Sequence, residues 1–102
     1  MYSNEGKENL TYFFAVMLYN GVIENIDKLD KEIEPLLNNW TIDRLDKIDL
    51  CILRLATYEL LFQKETPSAV VINEAILLAK SFSKDQAYKF INGVLEKICK
   101  KV

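Results

Sequence analysis

Asp46 and Asp49 stand three residues apart, a spacing that places two carboxylates on one helical face, where a general acid and its base could sit. Charge at a helix N-terminus accounts for the same two acids: Asp46 is a good N-cap, and Asp49 at the third helical position favours the positive end of the dipole. That second reading is adopted. Asn73 and Glu74 interrupt an apolar stretch and are expected to form a satisfied, buried hydrogen-bond network. Arg54 and Glu59, inside another apolar stretch, read as packing and pairing residues. Cys51 and Cys99 are not in C-x-x-C spacing, and the chain has no histidine to complete a metal site, so buried thiols are expected. There is no Gly-rich phosphate loop and no G-x-S-x-G motif. No catalytic residue, metal or cofactor is expected, and an enzyme has almost no support; the chemistry points to a binding module.

The 102 residues leave room for one domain spanning 1–102, and a chain of this size buries about 60–70% of its unfolded surface. Half the residues are apolar and Gly and Pro are sparse, so disorder is expected only at the ends, with residues 1–6 flexible. The longest apolar run, Tyr12 to Tyr19, is too short to cross a bilayer, and the start lacks the features of a signal peptide. A cytoplasmic protein without membrane partners is expected. Residues 1–50 carry ten acids against five bases, whereas residues 51–102 carry five against eight. The halves could therefore present differently charged docking faces, or simply solvated ones, and neither resembles the Lys/Arg stripe of a strong autonomous nucleic-acid binder.

The periodicity predicts an all-α bundle of about five helices and no strands. The first helix is expected from Lys7 to Asp27, apolar nearly all round and so covered on several sides. A short helix, Leu29 to Leu37, with Leu29, Ile33, Leu36 and Leu37 at helical spacing, should end or bend at Pro35. Asn38, Asn39 and Trp40 then form a turn, and Thr41 caps a brief helical turn through Leu45. The central helix should run from Asp46 to about Gln63, with Ile48, Cys51, Ile52, Leu55, Ala56, Tyr58 and Phe62 as one core face and Leu50, Leu53, Leu60 and Leu61 as a second. Pro67 opens the next helix, Ser68 to Phe82. Ser83 and Gln86 are read as a capping box for the last, Lys84 to about Lys100, whose stripe is Ala87, Phe90 or Ile91, Val94, Leu95 and Ile98. Gly93 in the middle of that helix predicts close approach of a neighbouring helix.

The words W-T-I-D-R-L-D-K-I-D-L-C-I-L-R-L-A-T-Y-E-L-L-F, P-S-A-V-V-I-N-E-A-I-L-L-A-K-S-F and K-F-I-N-G-V-L-E-K-I occur in that order. Together they resemble the C-terminal part of the NusB family, the N-utilization substance B antitermination factors. The upstream pattern Y-F-F-A-V-M-L-Y-N-G-V-I-E-N-I-D-K-L-D is similar to that family's middle helix, so the likeness covers most of the chain. It implies an all-helical, NusB-like fold. It also implies that the protein joins a small-subunit ribosomal protein, NusE, binds boxA-type single-stranded RNA of ribosomal RNA leaders, and serves the antitermination complex of RNA polymerase. The same fold also serves as an accessory domain attached to an rRNA cytosine methyltransferase, a version not expected here because these 102 residues hold no methyltransferase domain.

Carried onto this sequence, the resemblance implies RNA contacts at Lys84, Gln86, Lys89 and Phe90 and ribosomal-protein contacts at Asp43 and Asp49, both solvent-facing. Lys89 would meet a phosphate, and Phe90 would either stack on an unpaired base or serve as a core aromatic. Gln86 stands where the family commonly has an acid, Ser83 where it has glycine and Leu50 where it has a basic residue. The arginine-rich segment and two helices that usually precede the first helix have no counterpart, which implies weaker and less salt-sensitive RNA binding. Without them Tyr12, Phe13 and Tyr19 would lose their cover, and a homo-oligomer or a borrowed helix through that face is expected. The alternative is a protein-only interaction module of the same fold with little RNA affinity.

Overall fold

The computed structural model describes residues 19–38 and 41–101. Expectations that fall on residues 1–18, namely the flexible start, the helix start at Lys7 and the Tyr12 and Phe13 face, lie outside the described residues, as do Asn39 and Trp40. Residues 19–24 are helical, followed by α1 (Ile26–Ile33), α2 (Lys47–Phe62), α3 (Ser68–Phe82) and α4 (Ala87–Lys101), and no strand occurs among the described residues.

The break between the first two helices falls at Asn25 rather than after Asp27. The Asn25 side chain turns back on the preceding turn, its Nδ2 donating to the Gly21 carbonyl at 2.8 Å, which competes with straight continuation of the helix. In α1, Leu29 and Ile33 recur every fourth residue with Leu37 beyond, and all three are fully buried. Pro35 acts as expected: α1 stops at Ile33 and a single 3-10 turn, Glu34–Leu36, follows. Asn38 closes it at φ 59°, a left-handed conformation that asparagine tolerates well.

Thr41 occupies the cap position of the 3-10 turn Ile42–Arg44, but its side chain makes no cap bond. Glu34 supplies the acceptor instead, its Oε2 taking the Ile42 N–H at 3.2 Å. Asp46 takes the N-cap position of α2 without a side-chain cap bond, and Asp49 lies in the first turn. Pro67 precedes the first turn of α3, where its missing N–H leaves no helix bond unmade.

The core forms where α2, α3 and α4 pack on one another and α1 lies across α2. Val71, Ala75 and Ala79 set a mostly small stripe at every fourth position of α3, which lets it sit close to both neighbours. Ile91, Val94, Leu95 and Ile98 complete the layer from α4. The buried face of α2 is Ile52, Leu53, Ala56, Thr57 and Leu60, a rotation from the expected one. Ile48 (44% exposed), Phe62 (42% exposed) and Cys51 lie on an open edge, because the other helices cover only part of a helix that is apolar on most sides. Cys99 is half-buried, so neither thiol is fully enclosed. Asn73 and Glu74 are exposed rather than members of a buried network, and Tyr19 is 65% exposed.

Arg54 pairs as expected, with Asp30 of α1 at 2.8 Å. Glu59 has no ion pair among the described residues; it faces Glu74 across the α2–α3 groove, and burial first, then the charge of Glu74, pushes its pKa up. The close approach expected at Gly93 is not found among the described residues, where an added Cβ would meet nothing within 4 Å. Gly21 carries that role: a Cβ there would overlap the ring of Tyr58. No helix among the described residues is long and apolar enough to cross a membrane.

Candidate functional site

The N-terminal ends of α2 and α4 meet at one side of the bundle and leave a cleft of about 420 Å³ between them. Arg44, Leu45, Asp46 and Asp49 line one wall, and Lys84, Ala87 and Phe90 line the other. The connection from α3 to α4 shapes the second wall. Ser83 leaves α3 in an extended conformation (φ −104°, ψ 178°), and its hydroxyl donates to Asp49 Oδ1. Gln86 then takes φ 72°, and α4 begins only at Ala87. The capping box is therefore not formed: a residue in that left-handed conformation is outside the helix, and the Ser83 hydroxyl is held by α2 instead.

This geometry places each residue that the resemblance singled out. Lys84 and Phe90 line the cleft together with Asp49. Lys84 is exposed, whereas Phe90 is half-buried and packed against the core, so its ring serves the fold and the cleft wall at once. Gln86 and Lys89 are exposed beside the cleft, outside its lining, and the Gln86 carbonyl accepts the Lys89 N–H at 3.0 Å. Asp43 is exposed on the 3-10 turn next to Arg44. Asp49 is half-buried, not free in solvent, because Ser83 covers one oxygen. Of the residues expected to meet RNA and those expected to meet a protein partner, Lys84, Phe90 and Asp49 share one cleft.

Arg44 was not singled out by the sequence, and its signal was its place between Asp43 and the Asp46 cap in I-D-R-L-D. Charges in the cleft are mixed, two cations (Arg44, Lys84) against two acids (Asp46, Asp49). Asp49 offsets the positive end of the α2 dipole, while the first turn of α4 carries no acid. Such a site can hold an anionic group against the α4 wall and a cationic one against the α2 wall. No group of three or more metal-ligating acids or thiols is assembled among the described residues.

A family-wide sequence profile, that of the NusB family, matches residues 3–100 of the chain. The chain is 53% identical over 87 residues to the transcription antitermination protein NusB of Treponema denticola, a match covering 85% of this chain and 64% of that protein. It is 50% identical over 96 residues to the protein of the same name from Staphylococcus aureus, covering 94% of this chain and 74% of that one. A solved structure of T. maritima NusB superimposes with a TM-score of 0.81 at 42% identity, over 83% of this chain and 60% of the other. A chain from a crystal structure of a plectonemic RNA supercoil superimposes with a TM-score of 0.82 at 36% identity, over 88% and 65%. The chain therefore spans about two-thirds of the length of these relatives. The all-α fold expected from the sequence is the fold these structures share.

Proposed function

Because the chain belongs to the NusB family, we propose that it is a transcription antitermination factor that binds boxA-type ribosomal leader RNA together with the ribosomal protein NusE. It acts by binding, in the cytoplasm, within the antitermination complex of RNA polymerase. The observation that carries this reading is the convergence of Lys84, Phe90, Arg44 and Asp49 on one cleft. Lys84 and the neighbouring Lys89 take phosphates, Gln86 hydrogen-bonds a base edge, and the exposed part of Phe90 gives an unpaired base a stacking surface. Asp43 and Asp49 face a basic surface of the ribosomal protein, which fits the acidic first half of the chain.

The cancelling charges of the cleft have a consequence for mechanism. Two acids against two cations give little net attraction for a phosphate backbone. A basic partner seated on Asp43 and Asp49 removes the repulsive half, so RNA binding becomes cooperative with partner binding. Labelled boxA RNA should be titrated with the chain alone and then with the ribosomal protein present, each at two salt concentrations. Cooperative, salt-dependent binding is expected. Partner binding with no gain in RNA affinity would reject the RNA role and leave a protein-only interaction module.

A further inference from the structure

Among the described residues nothing requires glycine at Gly93. It lies at the middle of the outward face of α4, exposed; among the described residues nothing comes within 4 Å of an added Cβ and no glycine takes a positive φ. A mid-helix glycine is disfavoured against alanine, and here neither close packing nor backbone conformation offsets that. What surrounds it is basic. Lys89 is one turn before, Lys97 one turn after and Lys100 two turns after, all exposed on the same side, with Glu96 the acid among them. Lys101 is held by Glu32 at 3.0 Å, whereas Lys89, Lys97 and Lys100 form no ion pair among the described residues.

We infer that this face of α4 is a track for the sugar-phosphate backbone of single-stranded RNA, with Lys89, Lys97 and Lys100 taking phosphates and Gly93 admitting the backbone close to the helix between them. The inference rests on the RNA-binding reading and extends its site away from the cleft. Lys89, the first lysine of the stripe, is the sequence neighbour of Phe90 in the cleft wall, so a strand leaving the cleft continues onto the track. Lys89 to Lys100 spans about 16 Å of helix, enough for several phosphates. A polyanion suits the face better than a protein does: three cations stand against one acid, and the stripe Lys89, Gly93, Glu96, Lys97 and Lys100 offers no apolar anchor for a protein hot spot.

The test uses the full chain with the ribosomal protein at saturation and a fluorescein-labelled boxA RNA oligonucleotide. Gly93→Ala is expected to melt at a higher temperature than the parent, as helix propensity dictates, yet to bind RNA roughly fivefold more weakly. Gly93→Glu should weaken binding further. Lys97→Ala with Lys100→Ala should fold normally and reduce the slope of log affinity against log salt by about 1.4, the value for two single-strand phosphates. If the parent binds RNA and these variants match it in affinity and slope, the track is overturned while the RNA reading stands. A parent that binds no RNA overturns the reading and the track together. A Gly93→Ala protein that melts lower, or variants that lose affinity only for the ribosomal protein, would assign the face to folding or to protein contact and overturn the track.

Discussion

Arg54 grips Asp30 through two parallel hydrogen bonds, Nε to Oδ1 at 2.9 Å and Nη2 to Oδ2 at 2.8 Å, across 24 positions of sequence. The fork geometry matches guanidinium to carboxylate, and both side chains are 23% exposed, so the pair is neither fully screened nor fully desolvated. Chiefly through the bond to Asp30, the Arg54 pKa is raised above its ordinary value. The clamp ties α1, and with it the 3-10 turn bonded to Glu34, onto α2. In a double-mutant cycle with Asp30→Ala and Arg54→Ala, urea unfolding should give a coupling of about 1–2 kcal/mol. Arg54→Lys should recover less than half of it, since an ammonium cannot make both bonds. A coupling indistinguishable from zero would mark the pair as a solvated contact.

Glu59 should make stability fall as pH rises. Burial, and after it the Glu74 charge, raises its pKa in the folded chain above the ordinary value of 4.5. A raised folded pKa means that the native state holds the proton more tightly than the unfolded chain does. The associated stability is fully present below about pH 4.5 and is lost as pH climbs through the folded value. Glu59→Gln removes the ionisation while keeping the shape. Its melting temperature should exceed that of the parent at pH 7, and the gap should close near pH 4. Glu74→Gln should act in the same direction with a smaller effect. An equal gap at both pH values would show that charge is not the cause.

These residues also show where sequence reading succeeds and fails. Leu29, Ile33 and Leu37 were legible because α1 has a single apolar stripe, and a single stripe has one possible inside. In α2 apolar residues run round most of the helix, so which of Leu53 and Leu55 faces inward depends on where three other helices land. The exposure of Cys51 has the same cause. Arg54 was recognisable as a pairing residue, but Ser83 was not recognisable as the partner of Asp49. Its S-x-x-Q spacing imitates a capping box, while its actual acceptor lies 34 positions away. The two glycines repeat the point: whether glycine is required is decided by a neighbour such as Tyr58, which helix periodicity does not name.

Thr57 is fully buried at the centre of α2, and its hydroxyl has no hydrogen-bond partner among the described residues. An unsatisfied buried hydroxyl costs about 1–3 kcal/mol relative to one left in water. Thr57→Val replaces that oxygen with a methyl group of similar size. The variant should be more stable by roughly 1 kcal/mol in urea titration, with an unchanged denaturant slope. A loss of stability would reveal a partner for the hydroxyl, and hence a polar contact in this part of the core.

Gly21 and Tyr58 make the reverse case to Gly93. The Tyr58 ring occupies the space a Gly21 side chain would need, and it is held there by Phe62, with ring centroids 5.1 Å apart and planes tilted by 32°. Lys28 also lies over the Phe62 ring, its Nζ 5.3 Å from the ring centre. Gly21→Ala therefore gains helix propensity of about 1 kcal/mol but forces the ring off its rotamer, a strain of roughly 1–3 kcal/mol. The net result should be destabilisation. Tyr58→Leu vacates the space at a cost of its own, and in that background Gly21→Ala should become stabilising. This reversal of sign, measured by urea unfolding of the four proteins, separates overlap with the ring from any other reason for glycine, because a backbone requirement would penalise alanine in both backgrounds.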